Sequence, residues 1–499
     1  MDKPIQRSHT TEALARLGES TQALWKWGGA SLSFLLPFVV YVRTLAPTVY
    51  GLDSAELTTG AYCLGLVHVP GYPLYLLIGH LFTRLPIGNV GYRMNLMSAF
   101  FGALAIALFY LVLYRLCRRP LAALSAVLFL AFSFFYWSPA VMTEVYTLHL
   151  FMMAALILTV LVWHEQRRPR WLYLLALLLG LSLGNHLATV LLLPGLLYLI
   201  LVTDHKQLLH PRRLVAIVLL LVLGLSVYLY LPLRYAAQPP DVGAMQIQIA
   251  SWQDLLNIVS GRVFWGLFFA YDWREIPGQV ADYLYCLWGN FLGVGLLLGA
   301  LGGIALAWTR RHLAASLALI FLANALFYIG YGAGDKRIMF GPTYAVWAIW
   351  IGLGYDWFLD KIDSYTTTSG AWLGRTVVPC LFVGLALAAL LVNYRYADLS
   401  DDRRVYERAT QIMDTVEPGA YVLATTWFEV APLEYLHVVE QRRLDVTVLQ
   451  WTEVPIPELR SLITAEGDTH PFYTTDVVNW LAERYELAYL EDCDCYRIR

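Results

Sequence analysis

Eleven apolar runs decide what this chain can fold into. They lie near 29–47, 93–115, 120–137, 143–163, 170–187, 189–203, 213–233, 283–308, 313–331, 339–358 and 376–394. Most have the roughly 17–25 residues that a helix needs to cross a bilayer. Only 14% of the residues are charged, against about 25% in a soluble globular chain. The expected fold is therefore mainly α: a polytopic membrane helical bundle of about 11 spans, with a small C-terminal α/β domain. Some 28 polar residues precede the first run, without a small-residue cleavage signature. That run is read as a retained helix rather than a removed signal. The net charge of −2 predicts no nucleic-acid partner.

Basic residues set the expected orientation. With the N-terminus in the cytoplasm, the inner loops are "RLCRRP", "HEQRRPR", "DHKQLLHPRR", "TRRH" and the segment holding Lys361 and Arg375. The turns "WSPAVMTE" and "GNHLA" fall outside and carry no Lys or Arg, a positive-inside pattern. This divides the chain into a cytoplasmic segment 1–28, a membrane domain 29–396 with a first outer loop 48–92, and an extracytoplasmic domain 397–499. Within the loop, 54–67 and 71–85 read as short amphipathic helices lying along the membrane surface. In the last domain, "AYVLATT", "DVTVLQ" and "PFYTT" are strand-like, and "FEVAPLEYLHVVEQR" and "DVVNWLAERYE" helical. Such alternation predicts a mainly parallel sheet. The six cysteines have no zinc-finger spacing, and Cys493 and Cys495 read as a solvated or packed pair.

The first outer loop holds the sharpest local feature, "GLDSAELTTGAYCLGLVHVPGYPLY", in which Asp53 and Glu56 stand three residues apart. Asp53 with Glu56 fits a capping box, but capping leaves the neighbouring His68 and the Pro70–Gly71–Pro73 bend without a purpose. Glu144 fits a first-turn acid facing a helix dipole, Asn185 a cap, and Arg234 a snorkelling interfacial side chain. By the orientation above, Asp53, Glu56, His68, Glu144, His149, Asn185, His186, Arg234, Asp335, Lys336 and Arg337 all gather at the outer face. Ionisable groups at membrane depth usually have partners or a task. One-sided clustering suits a site that handles an amphiphile, whereas an ion pathway would spread such groups through the depth.

Five stretches carry a resemblance: "LDSAELTTGAYCLGLVHVPGYPLYLLIGHLF", "WSPAVMTEVYTLHLF", "LGLSLGNHLATVLLLPGL", "YLYLPLRYAAQPP" and "LLNIVSGRVFW". Together they resemble a family of multispanning O-mannosyltransferase-like membrane proteins, over most of 30–270. The family usually has glycine where this chain has Ala55, and a second proline where it has Val69. The resemblance implies a C-type glycosyltransferase fold. It further implies transfer of a sugar, mannose or another hexose, from a polyprenyl-phosphate carrier to an acceptor hydroxyl on the extracytoplasmic side, with inversion. Asp53 and Glu56 match the catalytic carboxylate positions, Asp53 as general base and Glu56 orienting the acceptor or sharing the proton.

Leaving phosphate needs positive or hydrogen-bonding groups. Arg234 is the first choice for its planar fork, followed by Arg262, Lys336 and Arg337. His68, Tyr72, Glu144, His149, Asn185 and His186 are the other candidate substrate contacts. The aromatic segment 235–280 suits either a cover over the donor or an interfacial belt. No cofactor is expected beyond the lipid-linked donor. "DCD" near the C-terminus matches an acidic metal pattern only trivially, which leaves a divalent metal open. Membrane lipid and an unidentified glycan, protein or lipid acceptor are the expected partners, and the short chain fits a bacterial inner membrane. A transporter is the rival reading, although the chain lacks the internal repeat that transporters often show. A non-catalytic scaffold with the α/β domain as its working part is a second.

Overall fold

The computed structural model describes residues 21–51, 53–240, 247–365, 376–451 and 454–499. Most of the segment 1–28 and the inner-loop Arg375 lie outside the described residues. Every one of the eleven apolar runs contains helix. Among the described residues seven helices are long and apolar enough to cross a membrane, or up to nine when two bent pairs each count as one span. The chain is an integral membrane protein.

The helices that carry the argument are α1 (Gly29–Arg43), α2 (Ser54–Cys63), α3 (Pro73–Thr83), α4 (Val90–Leu116), α5 (Tyr146–Gln166) and α6 (Trp427–Val438). Helices α4 and α5 are central, with 72% and 83% of their apolar windows buried, whereas Pro211–Ala236 buries only 17%. Its Leu214, Val218 and Val222 point outward, as lipid-facing residues do. This peripheral helix is held by small residues. A Cβ on Gly180 would strike the Leu221 carbonyl, and one on Gly224 the Leu177 carbonyl, so the two backbones meet where side chains are missing.

Two runs read as single spans are broken. Pro120–Ala131 and Phe134–Ala140 meet at 72°, and Ile276–Asn290 and Val294–Thr309 at 99°. Ser133 is extended at the first break. Leu292 and Gly293 both take positive φ at the second, a local conformation that hydropathy does not register.

Helix α2 also departs from expectation. It lacks the exposed face of an amphipathic surface helix and is buried from Ser54 through Ala61, with α6 of the C-terminal domain packed against it. Val49, Ala55 and Val90 belong to one apolar cluster with Val422, Val430, Leu433 and Leu436. Tyr435 Oη accepts the Gly91 N–H at 3.4 Å. The loop 48–92 and the C-terminal domain therefore share a core.

That domain has a five-stranded sheet of β1 (Tyr421–Ala424), β2 (Thr447–Gln450), β3 (Phe472–Thr474), β4 (Leu487–Leu490) and β5 (Cys495–Ile498), in the order β2-β1-β3-β5-β4. Strand β1 pairs in parallel with β2 and β3, while β5 runs antiparallel to β3 and β4. The sheet is thus mixed rather than mainly parallel, since its last two strands form a hairpin. The helix read at 476–486 shrinks to Asn479–Ala482. Cys493 and Cys495 form a disulfide in the turn between β4 and β5.

Candidate active site

The loop 48–92 folds so that its polar side chains converge. Helix α2 starts at Ser54, yet Asp53 makes no side-chain cap bond. Glu56 does not turn back to close a capping box either. Its Oε1 accepts the His68 backbone N–H at 2.6 Å and its Oε2 lies 2.6 Å from His68 Nδ1. Capping therefore does not explain the two acids. What turns His68 inward is the bend after it, where Gly71 and Tyr72 take φ of 85° and 38°. The positive φ at Gly71 favours glycine, and a Cβ there would also push on the tip of the Leu231 side chain.

His68 is the hub. Its Nε2 lies 3.2 Å from Tyr72 Oη and 3.7 Å from Asp53 Oδ2. Burial opposes its protonation, but the Glu56 carboxylate and then Asp53 outweigh that and hold the imidazole up at about 9. Burial raises the Glu56 carboxyl, with His68 pulling against it. Asp335 is also raised, by burial first and then by Asp53, with His68 opposing. It thus belongs to the same electrostatic neighbourhood.

These shifts predict a pH dependence. Both Glu56 and His68 bind protons more readily when folded than their ordinary values allow, so stability falls as pH rises. The His68 contribution is complete below its ordinary 6.5 and lost through about 9. The thermal midpoint of the detergent-solubilised protein should fall across that window. A His68→Gln variant should lose the His68 part of that fall; a fall equal to that of the unmodified chain would refute the assignment.

Next to the hub lies a second polar group. Glu144 turns toward the backbone N–H groups of Asp53 and Val145, just before α5. Tyr146 and His149 ride on α5, and both rings face His186, at centroid distances of 5.7 and 5.0 Å. Tyr72 reaches the same ring at 6.3 Å. His186 Nδ1 caps the turn by accepting the Ala188 N–H. Asn185, read as the cap, instead donates to the Val145 carbonyl at 3.3 Å. Four fully buried atoms here, Glu144 Oε2, both ring nitrogens of His149 and Asn185 Oδ1, have no hydrogen-bond partner among the described residues. Buried polar atoms are normally paired, so their gathering marks a place where a polar ligand or water belongs.

The basic candidates are placed less alike. Arg234 donates to the Leu64 and Cys63 carbonyls at 2.6 and 3.2 Å, closing the end of α2. Arg337 pairs with Asp282 at 2.6 Å, and exposed Arg262 donates to Asn257 at 3.1 Å. Lys336 is buried, with Gln279 Oε1 at 2.6 Å, Tyr271 Oη at 3.2 Å and the Tyr271 ring beneath it. It has no carboxylate within ion-pair distance among the described residues.

Asp53, Glu56 and His68 present donor atoms within 4.8 Å of one another, a spacing that admits a divalent ion. Glu56 already holds the His68 backbone N–H and ring, so a bound ion would take His68 Nε2 and Asp53 with Glu56 orienting the imidazole behind them.

Three neighbours escaped the sequence reading of substrate contacts: Asp335, Tyr146 and Trp427, the last with its ring 5.0 Å from His68. Asp335 was legible as a polar flank, and Tyr146 sits in the quoted "TEVYTLH". Nothing local marks Trp427, whose contact spans more than three hundred residues.

Residues 53–209 match the family described as Protein O-mannosyl-transferase TMEM260 N-terminal domain. This stretch contains the hub and the unpartnered group. This stretch is similar to the N-terminal domain of that family. It is 31% identical over 461 residues to Protein O-mannosyl-transferase TMEM260 of Mus musculus, covering 85% of this chain and 63% of the relative. The Dictyostelium discoideum protein of the same description is 23% identical over 502 residues, covering 89% and 60%. The chain thus spans a little over three-fifths of the length of these relatives. Among solved structures it is similar to ArnT from Cupriavidus metallidurans bound to undecaprenyl phosphate. The TM-score is 0.63 at 14% identity, covering 94% of this chain and 98% of that one. The apo form gives 0.62 at 13% identity, covering 94% and 97%. The C-type membrane fold implied by the resemblance is the fold found.

Proposed function

We propose that this protein is a membrane glycosyltransferase that moves a hexose, mannose by the description of its relatives, from a polyprenyl-phosphate carrier to an acceptor hydroxyl. The reaction takes place on the extracytoplasmic side, where the C-terminal domain also lies. The observation that carries this reading is the polar hub at Asp53, Glu56 and His68, with the buried atoms Glu144 Oε2, His149 Nδ1 and Nε2 and Asn185 Oδ1 left without a hydrogen-bond partner among the described residues. The undecaprenyl phosphate bound by the similar ArnT supports a lipid-borne donor.

The roles of the acids differ. Glu56 is fully buried and both its oxygens serve His68, so it positions the imidazole. The Asp53 side chain keeps 29% exposure and touches His68 only at 3.7 Å, which leaves it free to act. As the acceptor oxygen attacks the anomeric carbon, Asp53 takes its proton. The bond from that carbon to the phosphate oxygen breaks on the opposite face, and the phosphate leaves with the electron pair. Configuration inverts. Lys336, without a carboxylate partner among the described residues, suits the departing phosphate better than Arg234, whose Nε and Nη2 hold backbone carbonyls. Glu144, His149, Asn185 and His186 offer hydrogen bonds to sugar hydroxyls.

The test supplies the purified full chain with radiolabelled polyprenyl-phosphate mannose and solubilised membrane proteins from its host. Label is expected in a covalent product that resists organic extraction. Label recovered only as unchanged lipid would refute the enzyme reading, and uptake into sealed vesicles without covalent product would support a transporter.

A further inference from the structure

The C-terminal domain meets the candidate active site through one side chain. Trp427 opens α6, directly after the loop Thr425–Thr426 that leaves strand β1. Residues beyond the carboxyl ends of parallel strands are where α/β sheets usually receive ligands. Here Thr475, just after β3, lies beside Thr425, with both hydroxyls at Glu429. This edge of the sheet is turned to the hub. The His68 ring makes edge contacts with two aromatic rings, Tyr72 at 5.1 Å and Trp427 at 5.0 Å. Tyr72 leads back to Tyr146, His149 and His186 among the membrane helices, while Trp427 comes from the C-terminal domain. The Trp427 indole is half-buried, and its Nε1 is buried without a hydrogen-bond partner among the described residues.

A lipid-borne donor must approach from the membrane helices. In-line displacement then puts the acceptor oxygen on the other face of the sugar, away from the membrane helices, and the C-terminal domain is the element that brings Trp427 to the hub. We propose, resting on the glycosyltransferase reading above, that Trp427 is a positioning residue on the acceptor side. Its ring keeps water from the anomeric carbon until an acceptor hydroxyl arrives, and its free indole N–H orients that acceptor. An unshielded site would let water act as acceptor. Water oxygen would bond to the anomeric carbon, the carbon–phosphate oxygen bond would break, Asp53 would take the proton, and free mannose with polyprenyl phosphate would result. Excluding such side reactions is a known benefit of a closed site.

The experiment uses the full chain in detergent, radiolabelled polyprenyl-phosphate mannose and no acceptor other than water. Free mannose is measured for the unmodified protein, Trp427→Ala and Trp427→Phe. Trp427→Ala should raise release by about fivefold or more, since it opens the site to water, with the donor KM unchanged. Trp427→Phe should stay near the unmodified rate, because the ring shields even without its N–H. A drop in release, an altered donor KM, or equal release from all three proteins overturns the shield. A silent transfer assay in the preceding test, by contrast, overturns the enzyme reading itself. Thermal melting of each variant identifies loss of fold, and a Trp427→Ala protein that melts is judged by Trp427→Phe against Trp427→Leu. Higher release from the leucine variant supports the shield and equal release overturns it.

Discussion

Replacing Asp53 by asparagine is expected to cut sugar transfer by about 10²–10⁴-fold, the contribution typical of a positioned general base. An amide keeps the shape of the carboxylate but cannot take the acceptor proton. The effect should fall on kcat, with the donor KM little changed, because nothing bonds the donor through Asp53 in the proposed arrangement. The fold should survive. Asp53 makes no cap bond to α2, and its one ion pair among the described residues is the long 3.7 Å contact with His68. Transfer rates measured with labelled donor, alongside a melting curve, check both statements. A variant that transfers at the unmodified rate would remove Asp53 from the chemistry.

Glu56→Ala is expected to damage the protein in another way, through stability. The substitution strips His68 of both its backbone and ring partners in a site where Glu56 is 0% exposed. Breaking a buried, hydrogen-bonded charge pair from one side costs about 3–5 kcal/mol, and the imidazole would keep only its Nε2 neighbours, Tyr72 and Asp53. Denaturant unfolding in detergent measures this. The double variant Glu56→Ala with His68→Ala should be less destabilised than the sum of the two single changes, as partners in one network are. Additive losses would mean that the short contact contributes little. The two acids, three residues apart in sequence, thus separate cleanly: one by loss of rate, the other by loss of fold.

How far these features could be read from sequence depends on their range. Apolar runs announce membrane helices because hydrocarbon leaves the backbone no other solution, and all eleven contained helix. Asp53, Glu56 and His68 were legible together because they lie within one loop. The breaks at Ser133 and at Leu292–Gly293 were not, since a change of φ or ψ leaves hydropathy untouched. The exposure of α2 was misjudged for a different reason. Its cover, α6, lies more than 360 residues downstream, and no pattern within α2 records a distant partner. The basic residues show the same limit. Arg234, Lys336 and Arg337 look alike as lone charges, and only their partners, carbonyls, a glutamine with a tyrosine, and Asp282, tell them apart.

The core shared by the loop 48–92 and the C-terminal domain has a topological corollary. Two segments that pack together occupy the same compartment, so the chain must traverse the bilayer an even number of times between Val90 and Ala397. Six long helices lie in that interval, and the two bent pairs, each taken as one passage, bring the number to eight. The short Pro169–Leu183 and the aromatic-rich Gly341–Tyr365 must then both traverse or both stay on one side. A sidedness reporter in the turn Gly184–His186, just after Pro169–Leu183, compared with one between Arg167 and Pro169, therefore fixes the fate of a helix more than one hundred and fifty residues away.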